Sequence, residues 1–252
     1  MHEAERAIEI GRGRKDNELL LMSHNGFVSA CEAIGDAAGA LVHARQAVEL
    51  AEGTGGPAFA GAALLALGRA QLLNGEGREA ATALEQALAT TRKYRTGLIS
   101  EGSMLAFLAE AYLVADDAGR ARETAELAVA TARRRHTPVY EITAHLALAR
   151  VLLATDGVVD ATAIDAALGA ATALMEATDA RLYAPPIHVE RARLARLRGD
   201  AATCERETRC SAPPVQRNGS ARAGGADREG DQRMSCPAEP HTPTSSEGHP
   251  RM

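Results

Sequence analysis

The sequence contains no tryptophan and only seven aromatic residues, four tyrosines and three phenylalanines. Its hydrophobic content of 46% is mostly alanine and leucine, which favour helices, whereas aromatic and β-branched residues favour strands. No apolar run approaches the roughly 20 residues that a membrane-spanning helix needs, and the first 15 residues do not resemble a signal peptide. The composition therefore argues against a β-sheet protein and against a membrane partner, and it favours an all-α fold.

The charged residues and the cysteines form no pattern that would indicate a ligand. The formal net charge is -5, which argues against a nucleic-acid partner. We find no paired carboxylates, nucleophile elbow or phosphate-binding loop, so we expect no catalytic residue and no cofactor. The four cysteines show no metal-ligand spacing, which predicts no metal site and fits a reducing cytoplasm. Cys31 and Cys204 are expected to be small buried thiols, and the other two are Cys210 and Cys236.

A helix–turn–helix unit recurs along the chain. Residues 67–88, LGRAQLLNGEGREAATALEQAL, return 41 residues later as LAEAYLVADDAGRARETAELA, and the same positions are occupied 40 residues earlier. A fixed period in this range indicates a stacked array of helix pairs. The alanines that recur in the second helix of each pair are Ala7, Ala47, Ala87 and Ala128, with Ala170 as the proposed fifth.

The unit resembles the tetratricopeptide repeat (TPR). The resemblance rests on Leu67-Gly68 in the first helix and on Ala80, Leu84 and Ala87 in the second, which match the family template. The period exceeds the family's 34 residues, so longer helices or wider loops are expected. The resemblance covers residues 2–209 and implies a right-handed superhelical array of antiparallel helix pairs.

The array is expected to start and end within a repeat. Residues 1–16 match the second helix of a truncated repeat, which suggests a fragment or a late start codon. Residues 17–209 are expected to hold four full pairs and a truncated fifth. Residues 210–252 contain six of the ten prolines, which predicts a disordered tail. The abrupt change in composition near Arg209 also suggests that a frameshift produced this tail.

Local signals place the individual helices. Pro57 suits the first turn of a helix, and Asp160 is a candidate N-cap. The helices are predicted at 2–14, 17–34, 37–52, 58–74, 78–94, 98–115, 118–135, 139–154, 160–178, 187–198 and 201–209.

The resemblance also indicates where a partner would bind. In TPR-like arrays the first helices line a concave groove, and binding residues lie two places after the repeat's leucine. We expect Arg69 and Arg150 to act there through their charge without contributing to folding. An apolar floor with alternating charges suits an amphipathic helix or an extended peptide, although the leucines could equally be inter-repeat core. The candidate residues are Ser29, Arg69, Leu72, Leu73, Glu110, Leu113, Val114, Arg150, Leu153 and Ala154.

Two hypotheses for the function follow. The first is a non-catalytic interaction module that binds a protein or peptide partner in the groove. The second rests on residues 146–157, LALARVLLATDG, and 182–200, LYAPPIHVERARLARLRGD. These resemble the C-terminal repeat region of large bacterial signalling proteins. That resemblance implies a detached regulatory fragment of an adenylate or guanylate cyclase or of an ATPase-type transcriptional regulator. Its partner would be the missing upstream ATPase or effector domain. Self-association through uncapped ends is a further expectation.

Overall fold

A computed structural model of the chain describes residues 2–54 and 56–211. Two predictions fall outside the described part. One is the crossing position of the Ala7 side chain. The other is the disordered or frameshift-derived tail, of which only Cys210 and Ser211 are described.

The described residues form α-helices and two short 3₁₀ turns, with no strand among them. Eleven α-helices follow one another within residues 2–54 and 56–211, and the 3₁₀ turns, Leu98–Ser100 and Arg181–Tyr183, precede α6 and α10. The helices are α1 (His2–Arg14), α2 (Asn17–Ile34), α3 (Ala37–Thr54), α4 (Pro57–Leu73), α5 (Gly77–Tyr94), α6 (Glu101–Val114), α7 (Ala118–Arg134), α8 (Pro138–Thr155), α9 (Ala161–Thr178), α10 (Ala184–Leu197) and α11 (Ala201–Ser211).

The helices pack as five successive pairs. The strongest packing joins α2 to α3, α4 to α5, α6 to α7, α8 to α9 and α10 to α11. The first helices of the pairs, α2, α4, α6, α8 and α10, also pack side by side, each against the next. Among the described residues, the second helices α3, α5, α7 and α9 make at most marginal contact with one another. The first helices therefore form a continuous layer, and the second helices form a more widely spaced one.

The period is visible in the turn between the two helices of each pair. One residue in every such turn has a positive φ, between 57° and 77°. Glycine adopts this left-handed conformation without steric cost, and aspartate tolerates it better than most residues. These residues are spaced 40 to 42 apart, which confirms that the helical unit repeats. They are Gly35, Gly75, Asp116, Gly157 and Gly199.

Small residues are needed where helices cross. A Cβ atom on Gly68 would lie 2.5 Å from Cγ of Leu84, as the sequence pattern predicts for this crossing. A Cβ atom on Gly102 would lie 2.9 Å from Cβ of Ala132. The recurring alanines Ala47, Ala87 and Ala128 are fully buried.

The fifth recurring alanine was assigned to the wrong residue. Ala170 is partly exposed, whereas Ala171 is fully buried. The reason is the turn between α8 and α9, which contains five residues, 156–160, where the other pairs have two or three. The longer turn shifts the register of α9 relative to the earlier second helices.

Other local predictions also need correction. The helix predicted at 98–115 begins with the separate 3₁₀ turn. Helix α10 begins at Ala184, before Ile187, because its two prolines fit within a first turn. Asp160 precedes α9, but its side chain does not cap the helix and instead pairs with Arg122 at 3.4 Å. Cys31 is buried as expected, whereas Cys204 is only half-buried.

The buried His24 of α2 contacts the half-buried His43 of α3. The Nδ1 atoms of His24 and His43 are 2.9 Å apart, and the ring of Phe27 stacks on His43. Burial, together with the nearby His43 and Arg12, lowers the pKa of His24 to about 4. Burial also lowers the pKa of His43, against the opposing effect of Asp36. Both rings are therefore neutral near pH 7.

This pair should make stability depend on pH. Because the pKa of His24 is lower in the folded chain than in the unfolded chain, protonation favours unfolding. The contribution is complete above pH 6.5 and is lost as the pH falls towards 4. Between pH 7.5 and 5.0, wild type should lose about 2 kcal/mol more than His24→Gln/His43→Gln in urea unfolding. The control is His136→Asn at an exposed histidine. If the double variant and wild type lose the same free energy of unfolding, the histidine pair is not neutral at pH 7 and the assignment is wrong.

Candidate functional site

The first-helix face is the side of α2, α4, α6, α8 and α10 that carries the candidate binding residues. The predicted charged and polar positions come together there as one column. Arg69 contacts Ser29, and Arg150 contacts both Glu110 and Glu190, each pair being 40 residues apart in sequence. The column therefore links successive repeats. Its members are Ser29, Arg69, Glu110, Arg150 and Glu190, the last of which the sequence analysis did not select.

Arg150 joins three consecutive first helices. Its Nη1 donates to Glu110 of α6 at 2.6 Å, and its Nε donates to Glu190 of α10 at 2.8 Å. Arg193 also donates to Glu190, whose side chain is only 2% exposed. Burial lowers the pKa of Arg150, but the two carboxylates outweigh it and raise the pKa above its ordinary value. The guanidinium is therefore charged and engaged within the array.

Arg69 plays the corresponding part nearer the N-terminus. It forms an ion pair with Glu32 of α2 and donates to Oγ of Ser29 at 3.3 Å. Its guanidinium lies 5.2 Å from the ring centroid of Phe107 in α6, which is a cation–π distance. Burial raises the pKa of Glu32, and Arg69 opposes this without cancelling it. Arg69 therefore bridges α2, α4 and α6.

These contacts bear on one expectation. Arg69 and Arg150 are expected to act on a partner without contributing to folding, whereas their contacts within the array argue for a structural role as well. Each joins its own first helix to those on both sides. Reversal of either charge would place a carboxylate beside Glu32 or Glu110. A binding test on this face must therefore use other positions.

The predicted apolar positions are half-buried at this face, with two exceptions. Leu72 and Leu113 pack against the central core cluster, Leu73 packs against the α2–α4 cluster, and Leu153 packs against the C-terminal cluster. Val114 is 48% exposed, and Ala154 is also exposed. The leucines thus contribute to the inter-repeat core and still present part of their surface.

A second set of ion pairs was missed entirely. Glu101, only 4% exposed, accepts hydrogen bonds from Arg92 at 2.8 Å and from Arg135 at 2.8 Å. One repeat later, Arg133 donates to Glu141 at 2.6 Å. Burial raises the pKa of Glu101, but the two arginines outweigh it and lower the pKa. The sequence shows that the arginine and the glutamate recur one repeat apart, but not that they pair, because the pairing depends on how the helices pack.

Other kinds of site receive no structural support. No group of three or more His, Cys, Asp or Glu side chains in residues 2–54 and 56–211 could hold a metal ion. None of the described helices has the length and apolarity needed to cross a bilayer. Comparison with protein-family models and with curated proteins gives no match. The geometry of the first-helix face alone therefore supports the candidate site.

Proposed function

We propose that this chain is a non-catalytic, TPR-like interaction module that binds a segment of a partner protein along the first-helix face. The observation that carries the proposal is the continuous layer of five first helices. Each of them supplies one residue to the same column, and half-exposed leucines lie beside it. A surface that repeats in this way suits a partner that is itself extended or helical.

The unequal spacing of the two layers supports a curved array. First helices touch their neighbours, whereas second helices are farther apart. In a two-layer array the more closely spaced layer lies on the inner side of the curve. The first-helix face would then be concave, as in the right-handed superhelix of TPR proteins, which forms part of the proposal.

The chemistry of the face favours apolar contact over charge. The arginines and glutamates of the column are largely paired with one another, so they offer a partner little unpaired charge. Leu72, Leu113 and Leu153 lie one per repeat on adjacent helices, and packed helices are about 8–10 Å apart. An extended peptide covers that distance in about three residues, so we expect an apolar partner residue at about every third position.

A matched pair of valines tests this proposal. Val114 on α6 is 48% exposed at the first-helix face, and Val42 on the second helix α3 is 53% exposed. Peptides selected from a random display library against the full chain should bind Val114→Asp at least tenfold more weakly than wild type. Val42→Asp should bind them as wild type does, because it adds the same charge elsewhere.

Three results would count against the proposal. One is a selection that yields no specific peptide, and another is an equal loss of binding in the two variants. The third is a loss of binding in Val42→Asp alone. Circular dichroism and urea unfolding of both variants establish that any difference arises from the surface and not from the fold.

We also propose that the protein acts in a reducing cytoplasm, without nucleic-acid or membrane partners. Within the described part of the chain, Cys31 and Cys204 form no disulfide, which is consistent with a reducing compartment.

A further inference from the structure

One edge of the array combines unpaired cations with exposed apolar side chains. It lies where α5 and α7 end and where α6 and α8 begin. The two segments that form it, 92–100 (RKYRTGLIS) and 133–140 (RRRHTPVY), contain no acidic residue. We call this surface the basic edge, and it consists of Lys93, Tyr94, Arg95, Ile99, Arg134 and Val139.

A buried carboxylate brings the two segments together. Glu101 accepts hydrogen bonds from Arg92, at the end of α5, and from Arg135, which follows α7. With Arg133 held by Glu141, three of the six arginine and lysine side chains in these segments are neutralised. The other three form no ion pair with any described residue. Two of them contact neutral groups: Lys93 Nζ lies 5.0 Å from the ring centroid of Tyr94, and Arg134 Nη2 donates to Oγ1 of Thr131 at 3.4 Å.

The three remaining cations are exposed at the surface. They are Lys93, Arg95 and Arg134. Cations near the C-terminal end of a helix interact favourably with the helix dipole. This effect alone is enough to explain the three cations. It does not account for the apolar residues beside them. Ile99 is 62% exposed, Tyr94 is 51% exposed and Val139 is 39% exposed.

We propose that the basic edge binds an acidic segment of a partner protein that also carries apolar side chains. The unpaired cations attract the partner's carboxylates, and the exposed apolar residues bury its apolar side chains. This surface is separate from the first-helix face, and the inference does not depend on the proposed function. With the basic edge and the first-helix face together, one array would bind two partner segments at once.

Charge complementarity favours an acidic protein segment over a membrane or a nucleic acid. Three cations give only a weak electrostatic attraction to an anionic membrane, and the chain's net charge of -5 opposes it. Binding to nucleic acid needs a broad basic surface that neutralises many phosphates. Neither partner would require this combination of three cations and three apolar side chains.

The experiment uses the full chain and a fluorescein-labelled peptide of four Glu-Leu-Glu-Ser units. Fluorescence anisotropy should show saturable binding that weakens with salt. Lys93→Glu/Arg95→Glu/Arg134→Glu should weaken this binding at least tenfold, and Ile99→Ser should weaken it about fivefold. A peptide of eight Glu-Ser units has the same charge without leucine and should bind more weakly than the first peptide.

The matched control places the same charge change on other surfaces. Arg78→Glu/Arg196→Glu/Arg209→Glu alters three exposed arginines, and it should bind the leucine-containing peptide as wild type does. Since neither triple variant removes a partner of Glu101 or Glu141, both should unfold in urea near the wild-type midpoint.

Four outcomes would overturn the inference. They are no binding, an equal loss in both triple variants, equal binding of the two peptides, and stronger binding to vesicles containing 30% phosphatidylserine that depends on the same cations. The last outcome would identify a membrane surface as the occupant.

Discussion

Arg150→Glu should lower the free energy of unfolding by about 3–5 kcal/mol, because it breaks a largely buried ion-pair network. Arg150 holds Glu110 and Glu190 on either side, and Glu190 is almost fully buried. The substitution would place three carboxylates within reach of one another in the layer of first helices. Urea unfolding followed by circular dichroism measures the effect.

Two further variants separate this effect from a general effect of charge. Arg181→Glu reverses the charge of an arginine that pairs with Asp179 but whose side chain is 87% exposed. This variant should unfold at the wild-type urea concentration within error. Arg150→Met should be less harmful than Arg150→Glu, because Glu190 keeps its bond to Arg193. If Arg150→Glu and Arg181→Glu unfold at the same urea concentration, Arg150 does not join the first helices.

Ala121→Leu should lower the free energy of unfolding by about 1–3 kcal/mol, because a larger side chain overpacks a filled core. Ala121 is fully buried in the central cluster, near the start of α7. Glu126 lies on the same helix with its side chain 58% exposed. Glu126→Leu should therefore cost much less, since the added apolar side chain remains in solvent.

Thermal unfolding of the two leucine variants checks the register of α7. The melting temperature should fall clearly in Ala121→Leu and change little in Glu126→Leu. Equal changes would mean that α7 presents a different face to the core.

The helices were predictable because their signals are local. The prediction for α2 at 17–34 is confirmed at both ends, and the other predicted ends lie within three residues of those observed. Glycines such as Gly35 and Gly75 mark the left-handed turns, and Gly68 marks a crossing. The register failed at Ala170 although the five-residue turn before α9 was predicted, because nothing local indicates which of the adjacent Ala170 and Ala171 faces the core.

The ion pairs were not predictable in the same way. From the sequence alone, Glu101 and Glu190 would be expected on the solvent-exposed face of a helix. Both are instead buried against arginines from other helices. The partners of Glu101 are Arg92, nine residues away, and Arg135, 34 residues away. Which arginine reaches which glutamate depends on how the helices pack, so the period identified the column but not its contacts.

The coupling free energy between Arg150 and Glu110 tests the central claim most directly. That claim is that charges one repeat apart join the first helices into one layer. A double-mutant cycle with Arg150→Ala, Glu110→Ala and the double variant should give a favourable coupling of about 1–3 kcal/mol in urea unfolding. The exposed pair Arg181–Asp179 should give a coupling within error of zero. A coupling of zero between Arg150 and Glu110 would contradict the claim.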